Sequence, residues 1–312
     1  MKDLKEKLSK LSVLVFGDIF LDKEYIGTYT GKSQEQDNLS ILKVREERNS
    51  PGGGGNLAAC FASLGVTTNV LGLCGDDING RILESVLLKN GVKKVHMVMS
   101  GMTLVFGKFY LEDGKHIFRY DITNEDITDE VDKKLIQKLG EFLPDVDMIA
   151  CADYNNTDER DICSEKTLNF ISKQITPKFA TGRKDIRKFK NFTCLLLNDN
   201  EFKNALDKSE ANNPLEFTKD LYLREIVITK QRGAISYTSD GDLNISPTAT
   251  LDDVLDTCGC GDMFYATYVS CKMAGYNIKD SLEFANCAAG IVAKKKFGAS
   301  QATINDIIKN LE

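Results

Sequence analysis

The hydrophobic positions of this chain fall into short apolar runs that alternate with longer amphipathic stretches. Residues 11–16 (LSVLVF) are largely apolar and end at Gly17, which is the pattern of a strand buried on both faces. Comparable runs stand at residues 69–75, 148–152, 193–197 and 225–229. Because polar or helical sequence follows each run, the order predicts an α/β fold with a doubly wound, mostly parallel sheet and helices on both faces.

A second set of segments has the period of half-exposed strands. Residues 39–44, 103–110 and 116–120 alternate apolar and polar positions. Long stretches of α/β pattern separate them, so we expect a small accessory sheet that covers the main sheet as a lid. We expect the lid strands within about residues 24–48 and 101–121, and residues 1–312 as a single domain.

The composition is that of a soluble globular protein, with 42% hydrophobic and 28% charged residues. A net charge of −6 argues against a general binder of nucleic acid or of acidic membranes. Nine cysteines without a repeating spacing and only two histidines give no basis for a structural zinc site. The chain shows no apolar leader and no run long enough to span a membrane, so we expect a cytoplasmic protein with reduced thiols.

The strongest chemical signal is the glycine-rich turn at residues 254–262 (VLDTCGCGD), which precedes a helix of small residues. Gly259 and Gly261 bracket Cys260, and Asp262 ends the turn. A turn of this kind presents unpaired backbone N–H groups at a helix N-terminus, which suits a phosphate. A carboxylate beside that anion could take a proton from an attacking hydroxyl. The alternative is that Asp262 is only the N-cap of the helix.

Several other polar residues follow predicted strands, where open α/β sheets bind ligands. Asp18 and Asp22 come after the first strand, and two solvated loop acids are the alternative. The four glycines of residues 51–56 (PGGGGN) permit a close approach of ligand to backbone, or form a hinge between lid and body. Small side chains in the helix 284–297 could leave room for a flat base, although close helix packing explains them equally well.

Two further segments contain basic residues, and we assign a ligand-binding role to neither. Residues 27–33 (GTYTGKS) look like a P-loop, but three residues separate the glycines instead of four, and a strand pattern follows. We reject that motif. The basic cluster at residues 178–190 is interpreted as a solvated surface, because acids dominate elsewhere.

Taken together, these segments resemble the ribokinase (PfkB) family of carbohydrate kinases across nearly the whole chain. Residues 256–262 (DTCGCGD) are similar to the family signature D-T-x-G-A-G-D, with Cys260 in place of the usual alanine. Residues 52–56 resemble the first glycine-rich signature, and residues 198–201 match the N-x-x-E motif. The resemblance implies a ribokinase-like fold and the ATP-dependent phosphorylation of a sugar or sugar phosphate.

The resemblance also implies roles for individual residues. Asp262 would be the catalytic base, and the amides around residues 258–262, including Gly259, Cys260 and Gly261, would form an anion hole. Asp22 and Asn56 would hold sugar hydroxyls. The other substrate-binding residues would be Gly53, Gly54, Lys108, Arg119 and Asp153.

The nucleotide site follows from the same resemblance. Asn198, Glu201, Thr229, Gly233 and Asn286 would bind ATP, and Glu201 would orient Mg²⁺ through water. Asp256 would sit at a monovalent-cation site, of the kind that K⁺ occupies. The resemblance further suggests a homodimer formed through the lid, with no nucleic-acid or membrane partner.

Within the family, the likeness is strongest to the branch that phosphorylates heptose 7-phosphate for ADP-heptose synthesis. It lies in residues 17–25 (GDIFLDKEY), residues 45–58 (REERNSPGGGGNLA) and the lid segment 118–121 (FRYD), together with the spacing of Ser33 and Glu35. We therefore expect heptose 7-phosphate as the substrate and heptose 1,7-bisphosphate as the product.

Three departures from this branch bear on the substrate. Residues 153–157 read DYNNT where the branch has D-Y-G-K-G, and Thr176 replaces the aspartate that precedes a P-K pair. Lys108 stands where a lid arginine is usual, so a point charge would replace a bidentate grip. Another sugar kinase, for ribose, fructose or a fructose phosphate, and a non-catalytic sensor on the same fold remain alternatives. No nucleotidyltransferase sequence follows Glu312, so we expect kinase activity alone.

Overall fold

Strands and helices alternate along most of the chain in the computed structural model, which describes residues 3–36, 39–123, 127–154, 161–183, 185–247, 254–295 and 300–311. The strands are β1 (Ser12–Gly17), β2 (Ile19–Lys32), β3 (Ser40–Gly53), β4 (Thr67–Cys74), β5 (Lys94–Met99), β6 (Val105–Leu111), β7 (His116–Ile122), β8 (Met148–Asp153), β9 (Lys178–Gly182), β10 (Cys194–Asn198), β11 (Glu225–Lys230), β12 (Gly233–Thr238) and β13 (Leu243–Ser246). The helices are α1 (Leu4–Leu8), α2 (Gly54–Ser63), α3 (Ile78–Lys89), α4 (Asp129–Phe142), α5 (Glu165–Ser172), α6 (Asp199–Leu206), α7 (Pro214–Asp220), α8 (Cys260–Met273), α9 (Ile278–Ala293) and α10 (Ile304–Leu311).

The larger sheet has nine strands in the order β13-β12-β11-β10-β9-β8-β1-β4-β5. All neighbours from β11 to β5 are parallel, and β12 and β13 extend the β11 edge as antiparallel strands. Chain order moves outward in both directions from β1 and β8, which lie side by side with Val13 opposite Met148. The predicted doubly wound, mostly parallel sheet is confirmed, and its topological switch point lies between β1 and β8.

Helices cover both faces of this sheet, and β1 shows why its sequence is apolar throughout. Val13 and Val15 pack into a core with residues of α2, α3, α8, α9 and α10. Leu14 and Phe16 pack into a second core with residues of α4, α5, α6 and α7. A strand covered on both sides has no polar face, so it lacks the alternation of the lid strands.

Helix α8 is buried on every side. All residues from Met263 to Cys271 are buried, and the helix packs against α2 and α9. Small and hydroxyl-bearing residues allow this close approach, and the Thr267 hydroxyl donates to the carbonyl oxygen of Met263 at 2.8 Å. The core therefore holds α8 and the glycine-rich turn at its start in one place.

The predicted lid is a separate four-stranded sheet in the order β3-β2-β6-β7. Strands β2 and β6 are parallel, and the other neighbours are antiparallel. The P-loop-like segment, residues 27–33, begins within β2 of this lid, so rejecting that motif is confirmed. In the described part of the chain, no helix combines the length and the apolar character that a bilayer crossing needs.

Strand β3 ends in the glycines that lead directly into α2. A Cβ on Gly52 would lie 2.1 Å from the Phe20 ring and 2.6 Å from a carboxylate oxygen of Asp22. A Cβ on Gly53 would lie 2.6 Å from the carbonyl oxygen of Asp18. These contacts show close packing of protein atoms against the backbone where the lid meets the body, and both readings of the glycines, close approach of a ligand and a hinge, stay predictions.

Gly17, the last residue of β1, is restricted by both its backbone conformation and the neighbouring strand. Its φ is +144°, and a Cβ there would lie 2.1 Å from the carbonyl oxygen of Ala152. We expect Gly17→Ala to lower the free energy of unfolding by about 3–4 kcal/mol, because the neighbouring strand would have to move. Urea denaturation measures this. Gly140→Ala in α4 is the control: its Cβ would meet only Phe170 at 3.8 Å, and we expect a gain of about 0.5–1 kcal/mol. Equal stability of Gly17→Ala and the parent protein would contradict this account.

Candidate active site

A cleft of about 400 Å³ lies at the carboxyl ends of the parallel strands, between the main sheet and the lid. Many of the predicted site residues line it together: Asp22, Gly53, Asn56, Lys108, Arg119, Asn198, Glu201, Thr229, Gly259, Gly261 and Asp262. These residues come from the lid, from the starts of α2 and α8 and from the ends of β10 and β11. The fold thus brings into one cavity residues that are far apart in the sequence.

The glycine-rich turn forms the start of α8 as predicted, but Asp262 does not cap it. Gly259 is the N-cap residue in a left-handed conformation with φ +78°, and Cys260 is the first helical residue. The alternative that Asp262 is only an N-cap is therefore wrong. Asp262 is the third residue of the first turn, where a carboxylate also interacts favourably with the helix dipole.

The amides of this turn are not all available to an anion. The amide of Cys258 donates to the Asp256 carboxylate at 2.9 Å, and that of Cys260 donates to the carbonyl oxygen of Thr257 at 3.2 Å. Within the described residues, no protein acceptor takes the amides of Gly259, Gly261 or Asp262. The implied anion hole over residues 258–262 thus reduces to these three groups, and Cys260 contributes position rather than a free donor.

The carboxylate of Asp262 is held by two neighbours inside the cleft. It accepts a hydrogen bond from Asn56 Nδ2 at 2.6 Å and another from the Tyr154 hydroxyl. Asn56 is oriented in turn, because its Oδ1 accepts from Gln301 Nε2 at 3.1 Å. Burial raises the pKa of Asp262 above its ordinary value, against the hydrogen bonds from Tyr154 and Asn56, which lower it. The result is an oriented carboxylate with raised proton affinity, which suits a general base.

The lid side of the cleft carries two cation–carboxylate pairs. Lys108 Nζ lies 3.2 Å from Asp22 Oδ1, and Arg119 Nε lies 2.6 Å from Asp121 Oδ1. Arg119 also stands over the Phe106 ring, with 4.8 Å between the guanidinium carbon and the ring centroid. Burial raises the pKa of Asp22, and Lys108 partly offsets this. Asp22 is therefore a half-buried lid residue rather than a solvated loop acid.

Asp18, Gly54 and Asp153 lie outside the lining of the cleft. Asp18 is buried, and its carbonyl oxygen accepts from the Gly54 amide at 2.7 Å. The Asp153 side chain is 1% exposed and faces Lys188, whose Nζ lies 2.9 Å away. The substrate-binding roles of Gly54 and Asp153 stay predictions.

The N-x-x-E motif forms the start of α6 at the end of β10. Asn198 Oδ1 accepts from the Glu201 amide, and Glu201 Oε2 accepts from the Asn198 amide, both at 2.8 Å. This reciprocal capping box gives the motif a structural role and aims it at the cleft. Thr229 lies in the neighbouring β11, also in the cleft lining.

Two predicted nucleotide residues are located farther from the cleft lining. Asn286 is buried in α9, where its Nδ2 donates to the carbonyl oxygen and the hydroxyl of Ser246, both at 3.0 Å. Gly233 begins β12 and packs against the Ser246 carbonyl. Both residues therefore hold β12, β13 and α9 together, and their contact with a nucleotide stays a prediction.

The cleft is suited to a divalent cation that arrives with a nucleotide. Burial raises the pKa of Glu201, with a contribution from the neighbouring Asp262, so a positive charge there would relieve both carboxylates. Mg²⁺ keeps several waters and needs only one or two carboxylates besides substrate phosphates. In the described ranges, no three His, Cys, Asp or Glu residues form a preformed metal site. One oxygen of Asp256 already accepts the Cys258 amide, and the monovalent-cation role of Asp256 stays a prediction.

The interpretation of residues 178–190 as a solvated surface is wrong for two of its basic residues, Lys178 and Lys188, whereas Arg183 is exposed. Lys178 is 7% exposed at the start of β9, and its ammonium donates to the carbonyl oxygen of Gln174 at 2.6 Å. Lys188 pairs with Asp153. Arg183 follows β9 and lines the cleft. The P-K pair, residues 177–178, therefore lies at the start of β9, and the cleft lies at the end of this strand. The change to threonine at position 176 thus affects neither the sugar site nor the nucleotide site.

Tyr154 and Arg183 are functional candidates that sequence reasoning missed. Tyr154 follows β8 and donates to Asp262, and the Arg183 guanidinium carbon lies 4.9 Å from the centroid of the Tyr154 ring. For Tyr154 the available signal is its position just after the strand predicted at residues 148–152, whereas β9, the strand before Arg183, is not among the predicted strands. Residues 155–157, where the chain departs from the D-Y-G-K-G pattern, lie outside the described residues.

A mostly parallel sheet, a helix start with unpaired amides, an oriented carboxylate beside it and a β-sheet lid are the features that the resemblance to sugar kinases of the ribokinase type implies. The comparison with known families agrees. The chain belongs to the pfkB family of carbohydrate kinases, whose model matches residues 12–304.

Curated relatives and solved structures extend this result. The chain is 28% identical over 308 residues to the bifunctional protein HldE of Aliarcobacter butzleri, covering 96% of this chain and 64% of that protein. It is 26% identical over 304 residues to HldE of Aeromonas hydrophila, covering 95% and 62%. The chain thus spans less than two thirds of these relatives.

Solved structures show the same fold at lower identity. Arabidopsis thaliana ribokinase complexed with ribose and ATP has a TM-score of 0.71 at 17% identity, covering 97% of this chain and 99% of that one. Escherichia coli phosphofructokinase-2 in complex with potassium has a TM-score of 0.77 at 16% identity, covering 96% and 97%. These likenesses confirm the ribokinase-like fold.

The hydrogen bond from Tyr154 to Asp262 leads to a pH prediction. It lowers the pKa of Asp262, so Tyr154→Phe should raise that pKa and move the acid limb of the kcat/KM profile to higher pH. We also expect about a tenfold loss of turnover at neutral pH, as a hydrogen bond to a charged acceptor contributes about 1.5 kcal/mol. Tyr276→Phe is the control, because it removes a tyrosine–aspartate bond of 2.9 Å to Asp3. An acid limb that stays in place, or moves to lower pH, would refute the positioning role of Tyr154.

Proposed function

We propose that this protein transfers the γ-phosphoryl group of ATP to a hydroxyl of heptose 7-phosphate, giving heptose 1,7-bisphosphate. The observation that carries the transfer reaction is the position of Asp262. Its carboxylate, oriented by Asn56 and Tyr154, stands beside the free amides of Gly259 and Gly261 in a cleft between the lid and the N-x-x-E capping box. That arrangement provides a base, an anion site and two opposed binding regions.

The proposed phosphoryl transfer assigns a separate role to each group of cleft residues. Asp262 accepts the proton of the attacking sugar hydroxyl, and the amides of Gly259, Gly261 and Asp262 stabilise charge on the phosphoryl oxygens. Asn198, Glu201 and Thr229 bind the nucleotide end, where Glu201 would hold Mg²⁺. The bound Mg²⁺ offsets negative charge on the phosphates. Closure of the lid over Asp22 and Asn56 excludes water and so limits wasteful hydrolysis of ATP.

The choice of heptose 7-phosphate rests on the relatives and on the lid. The HldE proteins match this chain along at least 95% of its length, and Lys108 and Arg119 place two cations above the cleft. Both cations already pair with lid carboxylates, which favours the second candidate, a kinase of an unphosphorylated sugar such as ribose or fructose. A sugar phosphate would have to compete with Asp22 and Asp121 for them.

A substrate screen tests the proposal. We expect sugar-dependent ADP release with ATP and Mg²⁺, at the highest kcat/KM for heptose 7-phosphate among heptose 7-phosphate, fructose 6-phosphate, fructose and ribose. Asp262→Asn should lower kcat by about 10²–10⁴-fold, because the base is lost while the size is kept. Asp280→Asn is a matched control, since Asp280 is also the third residue of its helix, α9. A higher kcat/KM for ribose or fructose would transfer the assignment to the second candidate, and ADP release from none of these sugars would refute the kinase proposal.

We also propose that the protein is a cytoplasmic homodimer formed through the lid. Neighbouring strand residues point to opposite faces, so Arg119 over the cleft places Phe118 on the outer face. There Phe118 is 60% exposed, and its ring lies 5.9 Å from that of Phe109, which stacks on Tyr25 at 4.8 Å. An exposed Phe118 beside two half-buried aromatic residues, on a sheet of four strands, is suited to pairing with a second copy.

Phe118→Ser tests the dimer. We expect the parent protein to sediment as a dimer at micromolar concentration and Phe118→Ser to weaken the dimer by about 10-fold or more, since a buried aromatic anchor contributes about 1.5–3 kcal/mol. Analytical ultracentrifugation measures both. Leu88→Ser, which changes a 49% exposed apolar residue of α3, should leave the dimer intact. A monomeric parent protein would rule out the lid interface.

A further inference from the structure

Arg183 is a cleft residue to which the resemblance assigns no role. It directly follows β9, the strand between β8 and β10, whose ends supply Tyr154 and Asn198. Its amide donates to the carbonyl oxygen of Asp153 at 3.1 Å, which fixes the start of its loop to the end of β8. The side chain is exposed within the cleft rather than packed into either core.

The Arg183 side chain is held on an aromatic face. Its guanidinium carbon lies 4.9 Å from the centroid of the Tyr154 ring, and the hydroxyl of the same ring donates to Asp262. A guanidinium held over a ring by a cation–π contact loses less entropy when its N–H groups bind a ligand, because its position is already restricted. One tyrosine therefore positions both the base and this cation.

Arg183 differs from the two lid cations in its ion pairing. Lys108 and Arg119 each have a carboxylate partner on the lid. Among the described residues, Arg183 has no ion pair. Its guanidinium acts electrostatically on Asp262 and Glu201, lowering the pKa of each, so it lies within range of both the base and the nucleotide end.

We propose that the Arg183 guanidinium binds the non-bridging oxygens of the phosphoryl group during transfer, from the sheet side of the cleft. This inference rests on the proposed function. The planar fork of arginine matches phosphoryl oxygens, and the amides of Gly259 and Gly261 approach from α8. As the bond from phosphorus to the sugar oxygen forms, the bond to the leaving ADP oxygen breaks and Asp262 takes the hydroxyl proton. Arg183 keeps its protons throughout and stabilises the charge on the phosphoryl oxygens.

Steady-state kinetics of Arg183→Gln and Arg183→Lys test the role. We expect Arg183→Gln to lower kcat by about 10²–10³-fold with a nearly unchanged KM for the sugar substrate, as for loss of one transition-state donor. Arg183→Lys keeps the charge without the fork and should recover part of that loss. Arg187→Gln is the matched control, since Arg187 lies four residues later and pairs with Asp185 at 2.8 Å on the surface.

A binding measurement separates this role from a purely structural one. ADP with aluminium fluoride and the sugar substrate mimics the phosphoryl group in transfer, so its affinity should fall with kcat in Arg183→Gln while the affinity for ADP alone and the urea midpoint stay constant. An unchanged kcat, or an effect on the sugar KM alone, overturns the inference and leaves the kinase proposal standing. A parent protein without sugar-dependent ADP release overturns both.

Discussion

The site depends on one carboxylate that three distant parts of the chain hold in place. Asn56 and Tyr154 lie 206 and 108 residues from Asp262 in sequence, and both donate hydrogen bonds to it. A carboxylate in a buried position is costly unless its oxygens are hydrogen-bonded. The starts of α2 and α8 and the end of β8 must therefore meet at a single point, and the packing of α8 between α2 and α9 enforces this.

This constraint also connects the lid to the Asp262 carboxylate. Strand β3 of the lid continues into α2 through Gly53, and Asn56 is the third residue of that helix. A movement of the lid would therefore reach Asn56, which orients Asp262, with no intervening loop. The close approaches at Gly52 and Gly53 leave little room for a larger residue at this connection. A substrate that closes the lid would consequently act on the geometry of the base as well as on solvent access.

The sequence predicts those parts of the fold in which burial produces a recognisable pattern of apolar residues. Strands buried on both faces, such as β1 and β8, are short apolar runs, and the glycine-rich turn is recognisable from its residue types alone. Strand β9 was missed because only Phe179 and Ala180 are apolar in it, while the buried Lys178 extends its stem inward and donates its ammonium to Gln174. Without β9, the sequence shows no strand end before Arg183, and the residue falls in the basic cluster that is interpreted as a surface. Tertiary contacts, which local sequence does not encode, decide such cases.

The charge distribution of the cleft explains why so many polar groups are fixed before any substrate is bound. Burial raises the pKa of Asp22, Glu201 and Asp262 alike, and each carboxyl is relieved by a different partner: Lys108, the Asn198 amide, and the Tyr154 and Asn56 pair. Among the described residues, no single cation pairs with all three carboxyl groups, so each has its own local partner. The charge of Arg183 lowers the pKa of both Glu201 and Asp262, and the residue lines the cleft. An anionic ligand entering between Asp262 and Glu201 would meet that guanidinium and the α8 amides together, and these are the donors that the proposed binding of phosphoryl oxygens requires.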